Sequence, residues 1–301
     1  MKSAFYALFI GLSLCCYAQN SLDLFTVSFR HGFSRPTNEV VGNASENVGL
    51  VNLKVPIRLS KTSIWYNDLT YQASTVDYSS DFPNTIDPTN LHGFIFQSGL
   101  VRKLDEKSAF QLLAVPRLMT DLNNVTINHF QFGGIGLYER KFSESLTMRY
   151  GLMYNQELFG DMFVPLVYLN WSLTPKWSVK GLFPIFTKIT YQSSEKLALG
   201  LSHFGMITSF QVGDPFYNQD YIERKSIDLT LFGRYKLAGN FHLEMRAGYA
   251  LGRSYYQYAK GDEVDFRVAI FSVGDNRTQK NVSFNPGSII DFRMVYNLPL
   301  D

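Results

Sequence analysis

The chain has 301 residues, a formal net charge of +2 at pH 7 and two cysteines, Cys15 and Cys16. A charge this near neutral, with no basic run, excludes a polyanion-binding surface, and no nucleic-acid partner is expected. Hydrophobic residues make up 46% of the chain and mean hydropathy is -0.08. No apolar run after the N-terminal segment is long enough for a membrane-spanning helix, but β-barrels escape that test because only alternate residues of their strands meet lipid. Aromatic residues at 15% suit the aromatic girdles of such a barrel.

The first 18 residues carry Lys2, an apolar run from Ala4 to Cys16, and Cys15-Cys16-Tyr17-Ala18 ahead of Gln19. They predict a secretory signal cleaved after Ala18, which leaves residues 19–301 as the barrel. The rival is a lipoprotein signal using Cys15 or Cys16, which Leu14 fits poorly. With cleavage after Ala18 the mature chain has no cysteine, hence no disulfide and no thiol chemistry.

From there the pattern is a period of two, which places alternate side chains on opposite faces of extended strands. Leu53, Val55, Ile57 and Leu59 alternate with Asn52, Lys54 and Arg58 before a turn at Lys61-Thr62 leading into Ile64 and Tyr66. Phe94, Phe96 and Leu100 follow, then a turn at Asp105-Glu106-Lys107 into Phe110, Leu112, Ala114 and Leu118, opposite in phase to Gln111 and Arg117. Phe130, Phe132 and Tyr138 lead to a turn at 143–145 and return as Leu146, Met148, Tyr150, Leu152 and Tyr154, with Glu139 and Arg149 on the other face. Either side of Thr174-Pro175-Lys176, the apolar positions are Phe163, Val167, Leu169 and Trp171, then Trp177, Val179, Phe183 and Ile185. Tyr168, Asn170, Lys180 and Lys188 fall between them. So short a turn predicts an antiparallel hairpin with Trp171 beside Trp177. Leu197, Leu199 and Leu201 come next. Ile227 to Leu237 then alternates with Asp228, Thr230, Arg234 and Lys236, and Phe241 to Leu251 alternates with His242, Glu244 and Arg246. The last segment sets Ile290, Phe292, Met294 and Tyr296 against Asp291, Arg293 and Asn297.

With no second layer to cover the apolar face, its solvent is lipid, and the fold expected is a single antiparallel transmembrane β-barrel. Turns near 61, 105, 143, 175 and 239 are short, whereas 31–46, 73–90, 211–225, 252–263 and 272–286 are long and polar. That inequality assigns short turns to the periplasm and long loops to the outside. The count is 12–14 strands, and a break at Pro184 keeps the turn at 239 on the short-turn rim. The expected location is the cell outer membrane, with its lipids and the barrel assembly machinery as partners.

Pro165, Trp177, Phe183, Pro184 and Tyr191 occur in the order proline, alternating strand, tight turn, tryptophan, strand, Phe-Pro, strand ending in tyrosine. With Gly248 and Tyr249 they resemble an uncharacterised family of Gram-negative outer-membrane β-barrels, described as a domain of unknown function. The resemblance implies an outer-membrane location and no catalytic residues.

No phosphate cradle, zinc-ligand spacing or nucleophile elbow is present, so no cofactor, metal or catalytic residue is expected. Gly133-Gly134-Ile135-Gly136 reads as a glycine-rich strand. His31, His92, His129, His203 and His242 are scattered without ligand spacing. Ser202 and His203 are adjacent, and neighbours on one strand face opposite sides. The expected lumen charge network comprises Arg58, Arg117, Glu139, Arg149, Lys180, Asp228, Arg234, Glu244, Arg246, Asp291 and Arg293, with Arg234 across from Glu244 and Glu139 across from Arg149. The expected aromatic girdle comprises Trp171, Trp177, Tyr150, Tyr235, Phe292 and Tyr296. Phe216, Tyr217 and Tyr221 beside Asn218, Gln219 and Asp220 form a loop suited to a glycan or peptide. Three functions follow: a non-enzymatic barrel with a salt-bridged, cationic-biased interior and a structural or surface role; a passive pore for small anionic solutes; or a barrel enzyme acting on lipid. A secreted β-sandwich or lipid carrier is the alternative outside the membrane.

Overall fold

The computed structural model describes residues 21–33, 44–78, 89–213, 217–281 and 286–299. The expected signal segment, Phe216 and the last two residues lie outside them. In chain order the strands are β1 (Ser21–Phe33), β2 (Ala44–Arg58), β3 (Ser63–Tyr78), β4 (Thr89–Lys103), β5 (Ser108–Ala114), β6 (Arg117–Thr120), β7 (Phe130–Gln131), β8 (Gly133–Lys141) and β9 (Leu146–Glu157). They continue with β10 (Gly160–Ser172), β11 (Trp177–Phe183), β12 (Phe186–Gln192), β13 (Leu197–Gln211), β14 (Tyr221–Ala238), β15 (Phe241–Tyr258), β16 (Phe266–Val268), β17 (Phe271–Val273) and β18 (Gly287–Pro299). β5 and β6 make one stave, as do β7 and β8, while β16 and β17 form a small hairpin. Among the described residues, fourteen antiparallel staves therefore close a single barrel, sealed by β18 pairing with both β15 and β1.

The alternation decides which way each strand faces. Large apolar side chains stand uncovered around the outside, with Leu231 67%, Phe292 47% and Tyr235 46% exposed, and among the described residues no second sheet or helix lies over them. In water each such side chain would forgo roughly 1.5–3 kcal/mol of burial. A whole belt of them is stable only against hydrocarbon, which makes the barrel a transmembrane one of the outer-membrane class. The strand after the turn at 61 takes the phase opposite to the one expected: Trp65 faces out, while Ile64 and Tyr66 line the lumen.

The short turns at the periplasmic rim are closed by side chains that replace missing main-chain partners. Asp105 accepts from the main-chain N–H of Lys107 at 2.7 Å and of Ser108 at 2.8 Å, and from the Ser108 hydroxyl at 2.5 Å. The Ser108 hydroxyl, followed by the Lys107 N–H, holds the Asp105 carboxyl below the usual range. The Thr174 hydroxyl likewise accepts from the Trp177 N–H at 3.0 Å. That turn spans residues 173–176, so Trp171 pairs with Val179 rather than standing beside Trp177. The face is unchanged, because the register differs by two residues.

Pro184 ends β11 and starts a tight turn, with the Ile185 N–H donating to the Leu182 carbonyl at 2.8 Å. The expected break there is real, and fourteen is the resulting count. Several upper strands run further than the alternation indicates: β15 continues to Tyr258 and β14 begins at Tyr221, both inside segments expected to be loop. The first four residues of β14 are buried on both faces, which erases the apolar–polar contrast that marks a half-covered strand. β16 and β17, which fall between the expected loops 252–263 and 272–286 and overlap only the second, pair with each other, and β16 pairs in parallel with the upper edge of β10 at Met162 and Phe163.

Candidate functional site

The site is the lumen. Its lower part is organised by Glu244 on β15, a fully buried carboxylate reached by cations from four strands. Lys188 approaches at 2.8 Å, Arg234 at 2.8 Å, Arg246 at 2.6 Å and Arg293 at 2.9 Å. Asp23 adds a second carboxylate, accepting from Arg234 at 2.8 Å and from Asn297 at 2.7 Å. Asp291 lies 3.8 Å from Arg246. The inward phase of each strand brings these groups to one level, and the register of β14 on β15 sets Arg234 opposite Glu244.

Other members of the expected network sit apart. Arg149 donates to Glu139 at 2.6 Å, directly across β8 and β9, and its guanidinium lies 4.7 Å from the Tyr168 ring centroid. Lys180 donates to the Ser21 carbonyl at 3.1 Å. Arg58 is at the periplasmic rim, bonded to the Ser60 carbonyl at 3.2 Å and away from the Glu244 group. Arg117 pairs with Glu157 at 2.9 Å, and Asp228 pairs with Arg30 at 2.5 Å.

The last two pairs belong to a closure at the extracellular end that the sequence reading misses. Glu46 is wholly buried between Arg30 at 2.6 Å, Arg224 at 2.8 Å and Arg253 at 3.5 Å, and the Tyr255 hydroxyl also donates to it. Around this knot the upper lumen is packed with Ala44, Val76, Leu91, Met119, Phe210 and Ile222. Below it lies a chamber of about 1960 Å³ that reaches down to the periplasmic turns. Ion pairs and apolar side chains together pack the upper end, while the lower lumen is hollow. Lys and Arg well outnumber Asp and Glu along its wall.

Of the expected girdle, Trp171, Trp177 and Tyr296 stand next to the periplasmic rim, with Trp177 against Tyr191 at 5.0 Å and Tyr296 against Phe241 at 5.0 Å between ring centroids. Tyr150, Tyr235 and Phe292 sit deeper in the apolar belt, each paired with outward neighbours such as Tyr138, Leu197 and Phe29. Ser202 is buried facing inward and His203 faces out beside Phe183, so the two make no dyad. His129 is held in its 3-10 turn by Thr126 at 3.0 Å. Gly133 meets the Tyr154 carbonyl where a Cβ would stand, whereas Gly136 has open space there. In the aromatic loop Tyr221 is buried and donates to the Asp262 carbonyl at 2.5 Å, and Asp220 accepts from Gln257 at 2.6 Å and Lys280 at 2.5 Å.

A second ion cluster lies outside the wall of β14. Glu223, on the outward phase, is covered by the loop hairpin and bonded to Arg267 at 3.0 Å, Arg277 at 2.6 Å and Lys225 at 2.7 Å. Arg267 also lies 4.1 Å from the Phe159 ring centroid. Arg277 pairs with Asp275 through two bonds of 2.9 Å, and this interaction, ahead of any other, holds the Asp275 carboxyl below its ordinary range.

An uncovered apolar exterior, a polar lumen and short turns on one rim define an outer-membrane β-barrel. The chain belongs to the family described as "Domain of unknown function (DUF6268)", whose model matches residues 15–286. No curated protein matches it. Among solved structures it is similar to an outer membrane channel from Pseudomonas putida F1, at 12% identity and a TM-score of 0.45 over 96% of this chain and 98% of that one. It is also similar to the TodX monoaromatic hydrocarbon channel, at 11% identity and a TM-score of 0.41 over 96% and 91%. A third is the NanC porin, at 11% identity and a TM-score of 0.34 over 90% and 98%.

Proposed function

We propose that the protein is a non-enzymatic outer-membrane barrel that holds a cation-rich chamber open to the periplasm and closed toward the outside. The observation that carries this reading is the contrast within one lumen: a cavity of about 1960 Å³ below, and a packed closure around Glu46 above. The excess of Lys and Arg on the chamber wall favours small anionic solutes over cations, by the logic of charged pores. In the closed state such solutes enter from the periplasmic side without crossing, and passage requires the upper packing to yield.

Conductance of the refolded barrel in a planar bilayer tests the reading. The wild-type protein is expected to carry no steady current. Phe210→Ala with Met119→Ala, which empties the apolar closure, is expected to carry an anion-selective one once heat-modifiable migration shows that it has folded. Steady current through the wild type would contradict the closed state, and cation selectivity in the opened variant would contradict the cationic chamber.

A further inference from the structure

The barrel wall is interrupted on one side. β11 stops at Phe183, opposite Val167 of β10, and β12 starts at Phe186, opposite Phe204 of β13. β10 and β13 both rise well above those points. Above Gly205, whose N–H donates to the Ile185 carbonyl at 2.7 Å, the edge of β13 has no strand beside it among the described residues until Gln211 bridges to Thr120, and Ser209 is clasped there by the Glu157 and Gln131 side chains. At about 3.3 Å per residue the unbonded stretch between Gly205 and Ser209 is roughly 13 Å long. Pro165 and Pro184, which carry part of the family resemblance, lie on its two sides, where a strand edge accommodates a residue without an N–H.

What stands in the seam is side chain. β16 covers the β10 edge, but β17 has no partner other than β16 among the described residues. The remaining space is filled by Leu182, Ile185, Ile207 and Ala269, packed against the apolar cluster around Phe159 and Val164. Both lips are apolar on their outer surface: Phe183 is 61% exposed and Phe271 70%. The chamber reaches this place, since Met206, which faces in, and Phe183, Ile207 and Ile270, which do not, all line the same cavity. Outward Val55 and Ile57 join the lining at the periplasmic rim, beyond the last β1–β2 pair, and Ile207 joins it at the seam, where β13 likewise lacks a neighbouring strand.

We infer that the seam is a lateral portal through which uncharged apolar solutes of alkyl or aryl type pass between the chamber and the hydrocarbon of the outer leaflet. Parting it breaks no β-ladder among the described residues, but side-chain bonds such as those of Glu157 and Gln131 to Ser209, whereas a continuous point of the wall such as Phe232 is held by paired main-chain groups on both sides. The inference is independent of whether the extracellular closure ever opens.

Tryptophan quenching in vesicles tests it. In a background with Trp65, Trp171 and Trp177 changed to Phe, a reporter is placed at Met206→Trp beside the seam or at Phe232→Trp, which also faces the lumen but lies on continuous wall. One arm uses vesicles of brominated-acyl phosphatidylcholine, the other plain vesicles carrying 1-bromododecane. The Met206→Trp reporter is expected to be quenched about twofold more than the Phe232→Trp reporter, as for a residue that hydrocarbon can reach. Quenching by bromododecane alone identifies a free apolar solute as the occupant, and quenching in both arms adds lipid acyl chains. Ala269→Phe, which fills the seam, is expected to remove the difference. Equal quenching of the two folded reporters in both arms would overturn the proposal.

Discussion

Glu46 shows how one residue can hold the closed end. Its carboxylate has no exposure and answers three guanidinium groups and a tyrosine hydroxyl. Removing one partner of a buried ion pair costs about 3–5 kcal/mol, because the charges left behind are uncompensated. Glu46→Gln should therefore lower the unfolding free energy by that amount, measured by urea titration in vesicles. Glu139→Gln serves as the contrast. Its partner Arg149 is close, at 2.6 Å, but both side chains are about a third exposed, and water screens the pair. A loss below about 1 kcal/mol is expected there. The Glu139–Arg149 and Arg234–Glu244 pairings were legible in the sequence because a short turn fixes which residues oppose each other. Glu46 was not, since its partners come from β1, β14 and β15, and long-range pairing leaves no local spacing to read.

At the scale of elements, two packing arrangements invite tests. β8 and β9 approach so closely that a Cβ on Gly151 would sit 1.8 Å from the Gly136 carbonyl oxygen. Gly151→Ala should force the two strands apart and cost about 1–3 kcal/mol, read from the same urea titration. The loop hairpin β16–β17 is held by ions instead. Asp275 has a carboxyl pKa depressed below 3.8 by Arg277. A group lowered by folding stabilises the folded state above its unfolded pKa and loses that contribution as pH falls through the folded one. Hydrogen exchange in Phe266–Val273, corrected for intrinsic rates, should therefore rise as pH drops below about 4. Asp275→Asn should flatten that dependence, and unchanged pH dependence in the variant would contradict the role given to Asp275. The hairpin was invisible in the sequence because β16 pairs with a strand roughly a hundred residues earlier and its ions come from three separate segments. The hairpins turning near 61, 105, 143, 175 and 239 were visible because each strand there pairs with its neighbour across a short turn.

For the molecule as a whole, composition argued little and periodicity argued nearly everything. Alternation was clear wherever one face met lipid and the other the lumen, as from Ile227 to Leu237. It fades at the top of β14, where Tyr221, Ile222, Glu223 and Arg224 are all buried, and the pattern there is that of a loop. The hollow chamber was not legible either: sequence orders the inward charges but does not say how much space they leave. The central claim is that the exposed apolar belt faces hydrocarbon, and Leu231 tests it most directly, being two-thirds exposed in the middle of that belt. Leu231→Arg should lower the unfolding free energy from lipid vesicles by about 2–4 kcal/mol, the cost of a charge on the lipid face near the bilayer centre. A change near zero, the ordinary result for an exposed side chain in water, would contradict the membrane assignment.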